Sequence, residues 1–330
     1  MIGSRPAAPD WRPGASLETL RLRARLLEQI RAFFATRGVL EVDTPLLGPA
    51  PSSAPQQHCL DLDLPGVGRR YLQPSPEFAM KRLLAAGSGS IYQVCKAFRA
   101  GEHGPRHRIE FTLLEWYRTG FDYRALMDEV QALVCGLLGR PAAQIFSYGE
   151  LFERHAGIDA FATDEAALWQ RVAAAGIEPS PALQAAGRDA ALDILLTRLI
   201  EPAIAPLGVV FIHDYPASQA ALARLRPGQP QIAERFELYV DGIELANGWS
   251  ELTDAAEQRR RFEQDNRMRQ ATGLAQVPLD EQLLAALAHG LPDCAGVALG
   301  FDRMLMLAAE VADIGVVQAF CDQGSAGKTR

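Results

Sequence analysis

Apolar residues recur at helical spacing through Leu17, Leu20, Ile30 and Phe33, following Ser16, a suitable N-cap. The pattern predicts a long first helix broken off at Arg37-Gly38, then a short strand over residues 39–43 ended by Thr44-Pro45. Residues 48–58 form a Pro/Ser loop, 60–64 alternate as a strand, and Leu72-Gln73-Pro74-Ser75-Pro76 leads into a helix over 77–86. Residues 91–98 and 110–118 predict two strands joined by a loop rich in glycine and charge. A helix is expected over 122–138. The Ala/Leu-rich region 139–207 predicts a helical insertion packed on the main sheet, with breaks at Gly157, at 176–179 and at Pro202. Then come a short buried strand over 209–213, a hairpin, a charged helix over 254–272, and a small-residue strand over 296–300 that runs into a helix at Phe301.

The hairpin carries the first chemistry. Residues 237–252 read ELYVDGIELANGWSEL and place Glu237, Glu244 and Glu251 seven apart. Seven is odd, so on an unbroken strand Glu237 and Glu244 would face opposite ways. Asp241-Gly242, however, is a hairpin-turn signal. Folding back there pairs Val240 with Ile243, Tyr239 with Glu244 and Glu237 with Ala246. Glu237 and Glu244 then become diagonal neighbours on one face, roughly 7–8 Å apart. Mg²⁺ with phosphate oxygens would suit such a pair; a solvated hairpin edge is the plainer alternative.

Composition narrows the class. With 330 residues, 48% hydrophobic and 22% charged, the chain has the apolar mass for a large core. A net charge of −7 without a dense Lys/Arg block counts against a nucleic-acid partner. Cys59, Cys95, Cys135, Cys294 and Cys321 are scattered and form no CxxC, which predicts a reduced, cytoplasmic protein without a structural zinc site. No stretch reads as a signal peptide or a membrane span. Residues 1–15, rich in Pro, Ala and Gly, are expected as a loose or draped tail.

On the strand over 110–118, Phe111, Leu113, Glu115 and Tyr117 share one face. A carboxylate on a half-apolar face requires a cation. Arg99 can pair with a carboxylate or phosphate in a planar fork, and an Arg99–Glu115 ion pair is the structural alternative. Arg303, in the first turn after Gly300, is placed to reach an anion at a helix N-terminus.

In order, these segments resemble the three motifs of a class II aminoacyl-tRNA synthetase catalytic domain of the lysyl branch. The first helix through Pro45 resembles motif 1, FRAGEHGPRHRIEFTLLEWYR motif 2 and GVALGFDRMLML motif 3; RFELYVDGIELANGWSELTD is similar to the lysyl-type substrate segment. The chain starts almost at the catalytic domain, leaving no room for an anticodon-binding domain. With DYPASQA and LPDCAGVALGFDR, it resembles the elongation factor P–(R)-β-lysine ligases, lysyl-tRNA synthetase paralogues that acylate a protein lysine. The implied fold is α+β, an antiparallel sheet flanked by helices, as one catalytic domain over 16–330 with an insertion at about 139–207. The implied activity is ATP-dependent adenylation of (R)-β-lysine and its transfer to a lysine of elongation factor P. A homodimer through motif 1 is implied, and no tRNA or membrane partner.

The resemblance also implies roles. Arg99 and Arg303 correspond to the catalytic arginines on the α- and γ-phosphates. Glu102, His107, Phe111, Glu244, Leu245 and Gly300 correspond to ATP contacts, and Glu237 and Glu244 to Mg²⁺ ligands. Ser75, Pro76, Glu77, Glu115, Tyr117, Asn247, Glu251 and Ala298 correspond to substrate contacts. Strand parity turns Glu251 away from Glu244 unless a bulge near Asn247-Gly248 intervenes. Three departures stand out: Ala100-Gly101 after Arg99, Arg108 where the motif carries Asn, and Ala298 where lysyl-tRNA synthetases carry Gly. Arg108 could still face phosphate. Two other readings compete, a truncated enzyme activating L-lysine and a catalytically inactive regulatory subunit.

Overall fold

Ser16 caps the first helix, its hydroxyl accepting from the Thr19 amide at 3.1 Å. Helix α1 runs Leu17–Ala35 and ends where Gly38 takes a positive φ of 64°. The computed structural model describes residues 11–320. Residues 1–10 of the expected tail and Cys321 lie outside the described residues. The tail's last two residues, Gly14 and Ala15, donate to the carbonyls of Ala319 and Gln318. The buried stripe of α1 is Leu26, Ile30 and Phe34; Leu17, expected inside, is exposed.

Two short strands follow, β1 (Leu40–Glu41) and β2 (Leu47–Gly48), then β3 (Asp61–Leu64) and β4 (Gly68–Leu72). Strands β2, β4 and β3 form a small sheet of their own. Pro76 opens α2 (Glu77–Ala85), and strands β5 (Ile91–Phe98) and β6 (Glu110–Thr119) flank the charged loop as predicted. Asp122 caps α3 (Tyr123–Leu138), closed by Gly139 in the left-handed region.

The stretch 139–207 departs from an all-helical insertion. It opens with β7 (Gln144–Ser147), which pairs in parallel with β8 (Val209–Pro216) at the sheet edge. Short helices α4 (Tyr148–Leu151), α5 (Glu165–Ala174), α6 (Pro181–Gln184), α7 (Gly187–Leu195) and α8 (Glu201–Ile204) follow β7. Pro202 does not end the helix: a π-helical turn over Leu196–Ile200 carries α7 directly into α8, and that wider turn just before Pro202 accommodates its missing N–H.

Strands β9 (Leu225–Arg226), β10 (Gln229–Val240) and β11 (Ile243–Ser250) come next, then α9 (Ala255–Ala271), α10 (Glu281–Gly290), β12 (Cys294–Gly300) and α11 (Phe301–Ala308). The large sheet runs β1-β5-β6-β12-β11-β10-β8-β7, with β9 on β10. Its inner pairings are antiparallel, as expected for the class, and both outer pairs are parallel. One face packs α1, α3 and α11 through Phe34, Trp116, Val130, Leu238 and Met304. The insertion builds a second core around Tyr148, Phe152 and Tyr215, and α2, α9 and α10 a third around Met80, Phe262 and Leu284. Among the described residues, no helix is long and apolar enough to cross a membrane.

Candidate active site

The sheet face turned toward α2 gathers most of the predicted residues by register alone. Residues directly opposite across strands share a face. One row reads Gln93, Glu115, Ala298, Asn247 and Glu237 across β5, β6, β12, β11 and β10. The next row reads Ile91, Tyr117, Gly296, Trp249 and Arg235.

The hairpin turns as expected at Asp241-Gly242, both with positive φ, and pairs Val240 with Ile243 and Tyr239 with Glu244. Beyond that the register shifts, so Glu237 faces Asn247 and not Ala246. The extra residue lies between Glu244 and Ala246, earlier than the Asn247-Gly248 position anticipated. Its effect is the one required: the parity change puts Glu244, Asn247 and Glu251 on one face. Leu245, at the bulge, is buried in the apolar core, so only its backbone can reach the cleft.

At the β5–β6 loop end the cleft is basic. Arg99 lies over the Phe111 ring, 5.0 Å from its centroid, and pairs loosely with Glu102 at 3.6 Å. Its Nε is buried without a partner, an unsatisfied donor. The Arg99–Glu115 pair does not form. Arg303 donates to the Glu244 carbonyl at 2.8 Å and reaches the Glu244 carboxylate at 3.4 Å. Its other nitrogen is 2.7 Å from His107 Nε2. Since arginine has no acceptor, His107 accepts there and carries its proton on Nδ1. Burial, and then the Arg303 charge, lowers the His107 pKa, in keeping with a neutral ring. Arg108 does not turn to the cleft: it donates to the carbonyls of Gly104 and His107 and to Asp313, bracing the loop.

Glu244 leaves 42% of its side chain open to the cleft. Burial and the nearby Glu237 charge raise its pKa, opposed by Arg303. Glu237 itself is closed. Tyr215 and Tyr239 each donate to Oε2 at 2.6 Å; Arg235 and Asn247 bond Oε1 at 2.5 and 3.3 Å. A metal reaching Glu237 would have to displace one of these donors. Among the described residues no three His, Cys, Asp or Glu side chains form a ready metal cage. Glu244 fits an ion brought in with phosphates, which needs only one or two carboxylates.

The other end of the face, four residues or about 13 Å along β6 from Phe111 by strand rise, is acidic. Glu115 accepts from Ser75 Oγ at 2.6 Å and from Tyr117 at 2.7 Å. Ser75 also accepts from the Glu77 amide, so the Ser75-Pro76 entry to α2 anchors Glu115. Burial, reinforced by the Glu77 charge, pushes the Glu115 carboxyl up to about 8. Glu251, also buried, accepts from Trp249 Nε1 at 2.9 Å and pairs with Lys81 at 2.6 Å, while its Oε1 has no partner. Its carboxyl is raised to about 7 by burial, with Lys81 opposing. A Cβ at Gly296 would meet Tyr117 at 2.3 Å and Glu251 Oε1 at 2.6 Å, so only glycine fits there. Lys81, Arg235, Tyr215 and Trp249 were not singled out from the sequence. The Glu77–Lys81 spacing of four within a helix was the available sign for Lys81; the others become visible only in the register.

A broad, mainly antiparallel sheet with an arginine-lined end and an acidic end on one face defines a class II synthetase catalytic domain. The family described as tRNA synthetases class II (D, K and N) matches residues 7–324, and the chain belongs to it. Within it, the protein named elongation factor P–(R)-β-lysine ligase of Edwardsiella ictaluri is 48% identical over 318 residues, covering 94% of this chain and 97% of the relative. The protein of that name from Vibrio cholerae is 48% identical over 320 residues with the same coverage, and that of Sodalis glossinidius 46% over 322. The chain therefore belongs to the elongation factor P–(R)-β-lysine ligase family.

Proposed function

We propose that the protein uses ATP to adenylate (R)-β-lysine and transfers the β-lysyl group to a lysine side chain of elongation factor P. The observation that carries this reading is the two-ended cleft, lined by the guanidinium groups of Arg99 and Arg303 at one end and by the carboxyl groups of Glu77, Glu115 and Glu251 at the other. It matches a substrate whose carboxylate meets ATP and whose two ammonium groups lie away from it. The substrate carboxylate attacks the α-phosphorus and pyrophosphate leaves. Arg99, with its unpaired Nε, stabilises charge at the α-phosphate, and Arg303 charge farther along the chain, since such transfer is largely positioning and electrostatics. His107 holds Arg303 in line. Phe111 and Gly300 flank the adenosine, and the Leu245 backbone and Glu102 line it. Glu244 would hold a Mg²⁺ ion arriving with ATP, whose charge would offset that of the phosphates, and Glu237 could join only by giving up one of its donors.

In this reading residues 16–330 form one catalytic domain with 139–207 as an insertion at its edge, and two copies associate through α1. Pyrophosphate exchange with purified protein tests the first half-reaction, comparing (R)-β-lysine with L-lysine. A mass gain of one β-lysyl group on elongation factor P tests the second. Exchange with L-lysine alone would replace this reading by that of an L-lysine-activating enzyme.

A further inference from the structure

The acidic end of the cleft already contains an ammonium group. Lys81 is 2% exposed, and its Nζ lies 2.6 Å from Glu77 Oε1 and 2.6 Å from Glu251 Oε2. Glu77 and Glu251 come from distant parts of the chain and meet only through this nitrogen. The titratable groups facing Lys81 are Glu77 on its own helix, Glu115 on β6, Glu251 after β11 and Cys294 on β12, and Tyr117 on β6 faces the same three carboxylates. Three carboxylates and one ammonium leave two negative charges when all are ionised, equal to the two ammonium groups of a diamino acid. Glu251 keeps one buried oxygen without a donor, so Lys81 occupies one side of that carboxylate and leaves the other open.

We propose that Lys81 is a positioning residue that bridges Glu77 and Glu251 and holds both carboxylates in place, and so sets the site's preference for substrates bearing two amines. This rests on the functional reading above. Without Lys81 the two carboxylates face each other with nothing between them. Buried like charges that close do not both ionise, so one takes a proton. A substrate ammonium must then displace that proton before it can bind. Lys81 thus acts on substrate affinity through the two acids and does not touch the reacting atoms.

The test is calorimetric binding of (R)-β-lysine, and of its analogue lacking the terminal amine, to wild type, Lys81→Met and Lys81→Met/Glu77→Gln, alongside pyrophosphate exchange. Lys81→Met is expected to weaken β-lysine binding at pH 7 by roughly 10- to 100-fold, the weight of a carboxyl titrating one or two units above the assay pH. Its kcat should stay within about threefold, a change small against one pKa unit, and the binding deficit should shrink at pH 9. Removing the surplus carboxylate in the double variant should recover most of the affinity, and a recovered double also shows that the pocket folds. A Lys81→Met protein that binds as wild type does, or one whose deficit is the same at both pH values and persists in the double, overturns the proposal. Wild type that binds no β-lysine overturns the functional reading instead.

Discussion

At the residue scale, the site depends on a few carboxylates whose environments differ sharply. Glu244 is the acid left open beside Arg303, so Glu244→Gln should abolish pyrophosphate exchange while leaving the far-ultraviolet circular dichroism and melting temperature near wild type. A folded variant with normal exchange would show that Glu244 holds no essential ion. Ala298 sits in the row between Glu115 and Asn247, and under the proposed function its methyl would line the path of the substrate's amine-bearing carbons. Methyl-sized differences in a pocket discriminate by roughly 10- to 200-fold. Ala298→Gly should therefore shift the kcat/KM ratio toward L-lysine over (R)-β-lysine within that range, and an unchanged ratio means Ala298 only packs. Glu115, raised to about 8 from an ordinary value of 4.5, supplies a pH signature. The empty folded state holds a proton that the unfolded chain releases above about 4.5. This contribution to stability is therefore complete at low pH and is lost as pH rises toward 8. Thermal melts of the ligand-free protein should fall between pH 5 and 8, and Glu115→Gln should flatten that slope.

At the element scale, the β10–β11 hairpin and β12 decide which residues meet. One extra residue between Glu244 and Ala246 changes strand parity, and without it Glu251 would face the core. Deleting Leu245 should restore simple alternation and destroy both substrate binding and stability, because every later side chain of β11 would switch faces. Gly296 makes the converse point on β12. Gly296→Ala would drive a methyl into the Tyr117 ring and against Glu251. Such overpacking typically costs about 1–3 kcal/mol. The expected outcome is a lower melting temperature together with a raised KM for β-lysine, since the displaced groups are those around the amine end.

At the scale of the whole molecule, a polar clamp ties the first helix to the last. Asp302, 1% exposed, pairs with Arg23 of α1 at 2.6 Å and accepts from the Thr112 amide of β6 at 2.9 Å and from Gln318 at 3.0 Å. Arg23 also donates to Thr112 Oγ1. These bonds fix α1 and α11 against the strand that carries Phe111 and Glu115. Asp302→Ala strips every partner at once and should destabilise the protein by about 3 kcal/mol, toward the low end for a broken buried pair because Arg23 keeps some contact with water. Chemical denaturation with an unchanged slope would measure it; a loss below about 1 kcal/mol, the worth of an exposed pair, would mean the clamp is not tight.

The linear chain determined the element sequence wherever local chemistry is decisive: Ser16 as a cap, Asp241-Gly242 as a turn, and the uninterrupted β5 and β6. It also carried the motif residues Arg99, Glu244, Glu251 and Arg303 in readable order. Tertiary structure alone decided what each of them touches. A strand pattern with period two does not show a bulge, so the pairing of Glu237 with Asn247 was hidden. Edge strand β7 is four residues long and gains its ladder only from β8, whose paired residues lie 66 positions later. Glu237 and Glu251 look alike in sequence, yet one is closed by Arg235 and two tyrosines while the other keeps an oxygen free. Charge partners in a buried site come from whichever strands and helices converge there, and that convergence depends on register and packing across the whole sheet.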